Sequence, residues 1–409
     1  MATLQRLASQ QVPALSLASM QLFTASVQQR CASVRGMTAP QALEFSHRFL
    51  AQQVPVRAAR MALALPKHAS AVEVGGEAMQ EGIKRLEARY CDLATLCADA
   101  DKAGQCAFKS WLTDQISGLE QDLAFAVEVT RATVAASANG TEAACSQYPH
   151  AQGLTMLADS LMNATHLHLI TSRMLAAQHN FLFTLCEQEQ RSSTGQSCVG
   201  SPLLDRAGNP SSISESEEPQ AQPVVNPRCD VLQLIADAVD DCRAFCVEKH
   251  GEAPEVRVSK GAKSLARAVV VEGHMHFILI ELLKNAMHAM LRHHSSDLLE
   301  APAIEVLVSS RGAELGVKIS DTGGGIAPQH RARATSFFAT THVEVQGEPN
   351  YTYSKNFGAK FSGYGVGLPM ARLYARVAGG DVGISCLPGH GTDATLIINR
   401  LGTSSIPVG

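Results

Sequence analysis

Four polar residues, Glu281, Lys284, Asn285 and His288, stand at i, i+3, i+4 and i+7 in a stretch whose neighbours Ile278, Leu282 and Ala289 are apolar. On an α-helix that spacing brings all four to one face. A polar stripe on its own is most often a solvated surface, so its meaning depends on its company further along the chain. Downstream, Asp321-Thr322-Gly323-Gly324-Gly325 sets a carboxylate at the end of an expected strand, beside backbone bare enough to approach a ligand closely. Such an Asp can accept a hydrogen bond from an adenine amino group. Further on, Gly363-Tyr364-Gly365-Val366-Gly367-Leu368 opens a helix expected to run through Ala378. Backbone amides at a glycine-rich helix start match phosphate oxygens. Together and in this order, the three elements describe a nucleotide site.

The elements that must position these residues are legible around them. Cys229–His250 reads as a helix, Glu255–Ser259 and Ala266–Glu272 as strands, and about His274 to His293 as a second helix. Strands are expected again at Ile304–Ser309 and Gly316–Ser320, which makes a mixed sheet with helices on one face, within a domain spanning 228–402. Before it, residues 37–191 carry apolar positions at three- and four-residue steps. Leu86, Tyr90, Leu93 and Leu96 form one series, Phe108, Trp111, Leu112 and Leu119 another, and Leu157, Leu161 and Ile170 belong to a third. Long helices with short connections imply a bundle. Between the two, residues 192–227 are rich in Ser, Pro, Gly and Gln, with acids at Glu215, Glu217 and Glu218, and read as a linker or loop. A short tail, 403–409, comes after the second domain. The fold class is therefore α+β, in two domains with no internal repeat.

At 409 residues the chain is long enough for two cores, and 45% hydrophobic with 18% charged residues suits a globular protein. A net charge of −4 without a clustered basic run gives no reason to expect a nucleic-acid partner. The eleven cysteines include no CxxC pair and do not form a disulfide framework. Cys242 and Cys246, one helical turn apart, read as core residues because no second ligand pair has metal-site spacing. The first forty-three residues contain no Asp or Glu and interleave Arg6, Arg30 and Arg35 with serines. Residues 1–36 are accordingly expected to be a mitochondrial transit peptide, with the fold starting near Met37. Their apolar stretches are too short for a transmembrane segment.

The segments ELLKNAMHAM, SDTGGGI, SGYGVGLP and GHGTDA resemble the nucleotide boxes of the mitochondrial pyruvate and branched-chain 2-oxoacid dehydrogenase kinases. In the helical half, FLAQQVPVRAARM at 49–61 and SRMLAAQH at 172–179 resemble family segments too, as does EKHGEAP at 248–254. The resemblance implies a helical bundle followed by a Bergerat-type (GHKL, histidine-kinase-like) ATPase α/β sandwich. It implies a matrix protein-serine kinase using ATP and Mg²⁺ to phosphorylate and inhibit a dehydrogenase α subunit. By the same resemblance Glu281 is the general base, Asn285 holds Mg²⁺, and Asp321 reads adenine. Thr340 and Thr341 match a lid hydroxyl pair, Gly363, Tyr364, Gly365, Val366, Gly367 and Leu368 wrap the triphosphate, and Thr392 supports the adenine side. His288 lies beside the nucleotide. The implied partners are the α subunit, a lipoyl-bearing acyltransferase core and a second copy of the chain.

Departures from the family pattern are specific. His288 and Thr322 stand where the family usually has Arg, so a permanent cation is missing from each place. Phe277 occupies the position, four residues before Glu281, where some pyruvate-type members have His. His276 points off that face, and His274 lies about 10 Å along the axis from Glu281. After the last strand, near Arg400, nine residues remain without Trp, so the long tail of pyruvate-type members is not expected. EKHGEAP and the short tail lean toward the branched-chain type, GTDATLIINRL toward the pyruvate type. Two other readings share the nucleotide site: a two-component-like histidine kinase, with His166, His168 or His179 as acceptor, and an ATP-binding regulator without transfer.

Overall fold

In the computed structural model the described residues are 1–11, 13–21, 38–69, 76–102, 104–138, 149–193, 223–261, 266–294, 298, 300–331, 333–337 and 365–407. A short helix, α1 (Ala2–Ala8), precedes four long ones: α2 (Ala39–Ala69), α3 (Gly76–Lys102), α4 (Gln105–Ala138) and α5 (Pro149–Ser193). The stripes expected from periodicity are largely where the bundle packs. Leu86, Tyr90, Leu93, Phe108, Leu112, Leu119, Leu161 and Ile170 are buried, while Leu96 is an exception at 45% exposure. At 45 residues, α5 is about 68 Å long at 1.5 Å per residue, enough to reach beyond the bundle.

The second domain begins with β1 (Asn226–Asp230), which pairs antiparallel with β3 (Arg267–Val270) in a small separate sheet. Between them lie α6 (Val231–His250) and β2 (Val256–Lys260). Helix α6 starts where the Asp230 carboxylate accepts the N–H groups of Leu232 and Gln233, satisfying donors the first turn leaves free. Next come α7 (Glu272–His293), β4 (Ile304–Arg311), β5 (Glu314–Asp321), α8 (Pro328–Arg331), α9 (Gly367–Val377), β6 (Asp381–Leu387) and β7 (Gly391–Asn399). The main sheet has the order β2-β4-β5-β7-β6, with β2 and β4 parallel and the other pairs antiparallel. Its inner face is Ile304, Val306, Val308, Leu315, Val317, Ile319, Leu396 and Ile398, all at 1% exposure or less. Helix α7 packs between α6 and α9 on that face. This is the mixed α+β layer expected from the sequence.

Residues before Met37, expected from the sequence to precede the fold, pack against it where they are described. Leu4, Leu17 and Met20 are buried in the main core. Helix α1 lies on α2, where Arg60 donates to the carbonyls of Ala8 and Gln10. The stretch after it, helical from residue 17 to 21, meets residues 402–406. Ala18 N–H donates to Gly402, Ile406 N–H donates to Leu15, and Ser16 bridges Ser405. Leu17 sits in a crevice formed by Val270, Met275, Ile278 and Val377. Of the expected linker, 192–193 complete α5 and 226–227 begin β1, and 194–222 lie outside the described residues.

Candidate nucleotide-binding site

Helix α7 carries the polar stripe, but the four residues are not equally solvated. Glu281 is 6% and Lys284 7% exposed, and the Lys284 ammonium donates to Glu281 Oε1 at 2.8 Å. A carboxylate this deep requires such a partner, since desolvating it alone is costly. Asn285, one residue further, is exposed. His288 has its ring 6.3 Å from that of Phe245 and 5.9 Å from that of His250, against α6 and the residue ending it. Lys284 is the component that sequence reasoning noted on the face without assigning. Its i+3 spacing from Glu281 was the available signal.

The second oxygen of Glu281 faces the start of α9. An added Cβ on Gly367 would overlap Oε2 of Glu281. The glycine is therefore needed for the two elements to meet. Just before it, Gly365 has φ +67° and Val366 is fully buried. Among the described residues no side chain caps the helix start at Val366, and the first N–H groups of such a helix suit an anion. Leu368 is partly buried against the core. Thr340, Thr341, Gly363 and Tyr364 lie outside the described residues.

Asp321 ends β5 directly opposite Thr392 of β7. Its Oδ1 accepts the N–H of Gly323 at 2.9 Å and that of Thr392 at 3.3 Å. Burial raises its pKa above the usual carboxylate value, against the pull of those two hydrogen bonds. One oxygen is thus fixed by backbone donors on both sides. At Gly323 a Cβ would collide with Ala289 of α7, so only glycine lets the loop run against that helix. Thr322 is tied to the end of α7: His294 Nε2 lies 3.1 Å from its carbonyl and its hydroxyl reaches Met290 Sδ at 3.4 Å.

The residues around the missing family His form an aromatic cluster. Phe277 is 3% exposed and meets Tyr374 of α9 edge-on at 5.2 Å. His274 packs on the same Tyr374 at 4.2 Å, and burial, then Arg173, lowers its pKa to about 3. His276 points away from Glu281 and pairs with Asp241 at 3.2 Å. Tyr374 had no signal in the sequence beyond an apolar helix position.

Comparison with known proteins agrees with this geometry. Residues 270–401 match the family described as histidine kinase-, DNA gyrase B-, and HSP90-like ATPase. The curated relatives include a mitochondrial pyruvate dehydrogenase (acetyl-transferring) kinase of Schizosaccharomyces pombe, 32% identical over 48% of this chain and 46% of that protein. The human isozyme 4 of the same kinase is 31% identical over 59% of this chain and 51% of its own length. Over about half of its length the chain is similar to pyruvate dehydrogenase kinases. Isozyme 1 of Rattus norvegicus adds 34% identity over 44% of the chain and 41% of that protein. The chain spans about half the length of these curated relatives. The resemblance first read from the nucleotide boxes is thus met by named pyruvate-type kinases, and the α7, Asp321 and α9 elements all fall inside the matched ATPase segment.

Cys242 and Cys246 both face the core of the domain, Cys242 toward the Ile280 carbonyl and Cys246 toward Met287 Sδ. Burial pushes the Cys242 thiol up to about 12. Among the described residues no helix is long and apolar enough to cross a membrane.

Proposed function

We propose that the chain is an ATP-dependent protein-serine kinase of a mitochondrial 2-oxoacid dehydrogenase complex, pyruvate-type in preference to branched-chain, and that its phosphorylation of the α subunit inhibits that complex. The observation that carries this reading is the meeting of Glu281 with Gly367. It sets a buried carboxylate beside a glycine-started helix that no described side chain caps. Phosphoryl transfer asks mainly for positioning and charge neutralisation, with a base oriented toward the acceptor hydroxyl.

The residues present fit ATP with Mg²⁺. The start of α9 offers donors for phosphate oxygens, Asn285 is exposed on the next turn from Glu281, and Asp321 is held as an acceptor at the strand end. Mg²⁺ held by Asn285 would offset the charge of the triphosphate. Glu281 receives the proton of the substrate hydroxyl, and the Lys284 ammonium, donating to its Oε1, holds the carboxylate in place. Asp321 accepts from the adenine amino group, with Thr392 fixing it from behind. Thr340, Thr341, Gly363 and Tyr364 are proposed to complete the phosphate side and His288 to line it.

The histidine-kinase alternative needs an accessible acceptor. His166, His168 and His179 are at most 3% exposed, with pKa values lowered by burial to about 4, 3 and 4, which speaks against it. The pyruvate-type preference rests on the names of the relatives, and so does a mitochondrial location; within it the matrix is the compartment proposed, with the acid-free N-terminal region in its support. A lipoyl-bearing acyltransferase core and a second copy of the chain are the proposed partners. The deciding experiment incubates the protein with purified pyruvate and branched-chain complexes and labelled ATP, then maps the modified residue. Acid-stable label on an α-subunit serine is expected. Acid-labile label on the protein itself, or no label at all with ATP bound, would favour one of the two other readings.

A further inference from the structure

The peptide unit between Thr322 and Gly323 is held from both sides. Its carbonyl, on Thr322, lies 3.1 Å from Nε2 of His294, and because a carbonyl only accepts, that nitrogen carries the hydrogen and donates. Its N–H, on Gly323, donates to Oδ1 of Asp321 at 2.9 Å. A trans peptide is planar, with C=O and N–H pointing in opposite directions. The imidazole ring and the carboxylate are therefore joined through one rigid plate, and rotating the plate moves both bonds at once. Hydrogen bonds in such a series polarise one another. The Thr322 hydroxyl, 3.4 Å from the same Nε2 and 3.4 Å from Met290 Sδ, is placed to accept from the ring and donate to the sulfur.

The plate needs holding. Three glycines follow Thr322, with Gly324 at φ +79° and Gly325 at φ +72°, a backbone that turns freely when nothing restrains it. His294 is the C-cap of α7, its own N–H bonded to the Met290 carbonyl, so the ring is carried by the end of a helix and not by a second loop. Ala289 of the same helix closes on Gly323. The helix that bears the proposed base Glu281 thus also bears, about 20 Å further along its axis at 1.5 Å per residue, the ring that steadies the proposed adenine reader. Both backbone bonds to Asp321, from Gly323 and from Thr392, fall on Oδ1, which leaves Oδ2 as the oxygen for an amino group of a ligand.

We propose that His294 is a positioning residue for the nucleobase: by holding the Thr322–Gly323 peptide it fixes the Asp321 carboxylate, and with it the preference for adenine over a purine that lacks the amino group. The inference rests on the nucleotide reading above. It is tested on the full chain with His294→Phe, which keeps a ring without the donor, and His294→Gln, which keeps a donor without the ring. Calorimetry gives the affinities for Mg-ATP and for the magnesium complex of purine riboside triphosphate, which is ATP without its amino group, alongside the melting temperature. Wild type should prefer ATP by about tenfold, the worth of a hydrogen bond to a charged acceptor. In His294→Phe the preference should shrink to about threefold or less through weaker ATP binding, and His294→Gln should keep most of it. General destabilisation weakens both nucleotides alike and leaves their ratio unchanged. A folded His294→Phe protein with the wild-type ratio, or a His294→Gln protein as indiscriminate as His294→Phe, would overturn the role of His294 alone. If His294→Phe does not fold, His294→Ala and His294→Gln decide by the same ratio. Wild-type protein that binds both nucleotides equally overturns Asp321 as the adenine reader, and wild-type protein that binds neither overturns the nucleotide reading itself; the role of His294 falls with each.

Discussion

The carboxylate of Glu281 lies against the Cα of Gly367, so closely that no side chain fits between them. One residue belongs to the middle of α7 and the other begins α9, and their contact joins the proposed base to the proposed phosphate cradle. Gly367→Ala should push the carboxylate off Lys284 or tilt the start of α9. Either displacement is expected to lower transfer by about 10²-fold, as misplacement by an ångström does in other sites. A steady-state assay of serine phosphorylation checks it, and unaltered activity would show that the contact is incidental.

Glu281→Gln separates chemistry from packing only when Lys284 is considered with it. Gln cannot take a proton, and transfer should fall roughly 10²- to 10⁴-fold. The same change leaves the Lys284 cation buried without its carboxylate, which costs about 3–5 kcal/mol. The double variant Glu281→Gln/Lys284→Met removes both charges. It should melt close to wild type and still fail to transfer. Recovery of activity together with stability would mean that Glu281 is structural.

Asn285→Ala and Asp321→Ala should each abolish measurable Mg-ATP binding while the domain stays folded. Asn285 is exposed and Asp321 sits at a strand end, so neither fills the core. Calorimetry and circular dichroism on the same preparations decide it. ATP affinity unchanged in both would remove the site assignment.

Acid should destabilise the fold, chiefly through the three buried histidines of the bundle, with His274 of α7 acting in the same sense. His166, His168 and His179 titrate at about 4, 3 and 4 in the folded chain because burial disfavours the imidazolium, whereas unfolded histidine titrates near 6.5. Between those values the unfolded state binds more protons, so stability falls as pH drops from about 6.5 toward 4. Asp159 and Asp321, raised by burial, act in the opposite sense in the carboxylate range just below. Melting temperature against pH checks this. His168→Phe, which cannot titrate, should flatten the slope, and a variant with the wild-type slope would count against the buried histidines as its cause.

Residues 1–21 are expected to stay in the mature protein. Leu17→Ala should cost about 2–5 kcal/mol, the range for a large apolar side chain removed from a core. A fused reporter carrying residues 1–36 tests targeting, and N-terminal sequencing of the protein from its native compartment tests removal. A mature chain starting near Met37 with unchanged stability would contradict the packing role.

What the sequence revealed and what it hid have physical causes. Helices and strands of the second domain came out within a few residues because their apolar periods are unambiguous: Ile304, Val306 and Val308 alternate, and Met275, Leu279 and Leu282 recur at helical steps. The residues proposed for the nucleotide could be singled out because glycine and acid at strand and helix ends are rarely needed for packing. The burial of Glu281 and Lys284 was not, since an i, i+3 ion pair has the same spelling in water and in a core. β1 was missed because NPRCD carries Pro227, a poor strand former away from an edge. The packing of Leu4, Leu17 and Met20 was not legible because serine, arginine and leucine without acids compose a leader and a packed segment alike.

The pairing of Leu15 with Ile406 and of Ala18 with Gly402 has a kinetic meaning. Contacts between residues so far apart in sequence are slow to close. Leu17 and Met20 therefore wait as exposed apolar surface on the nascent chain until the second domain has been made and folds against them.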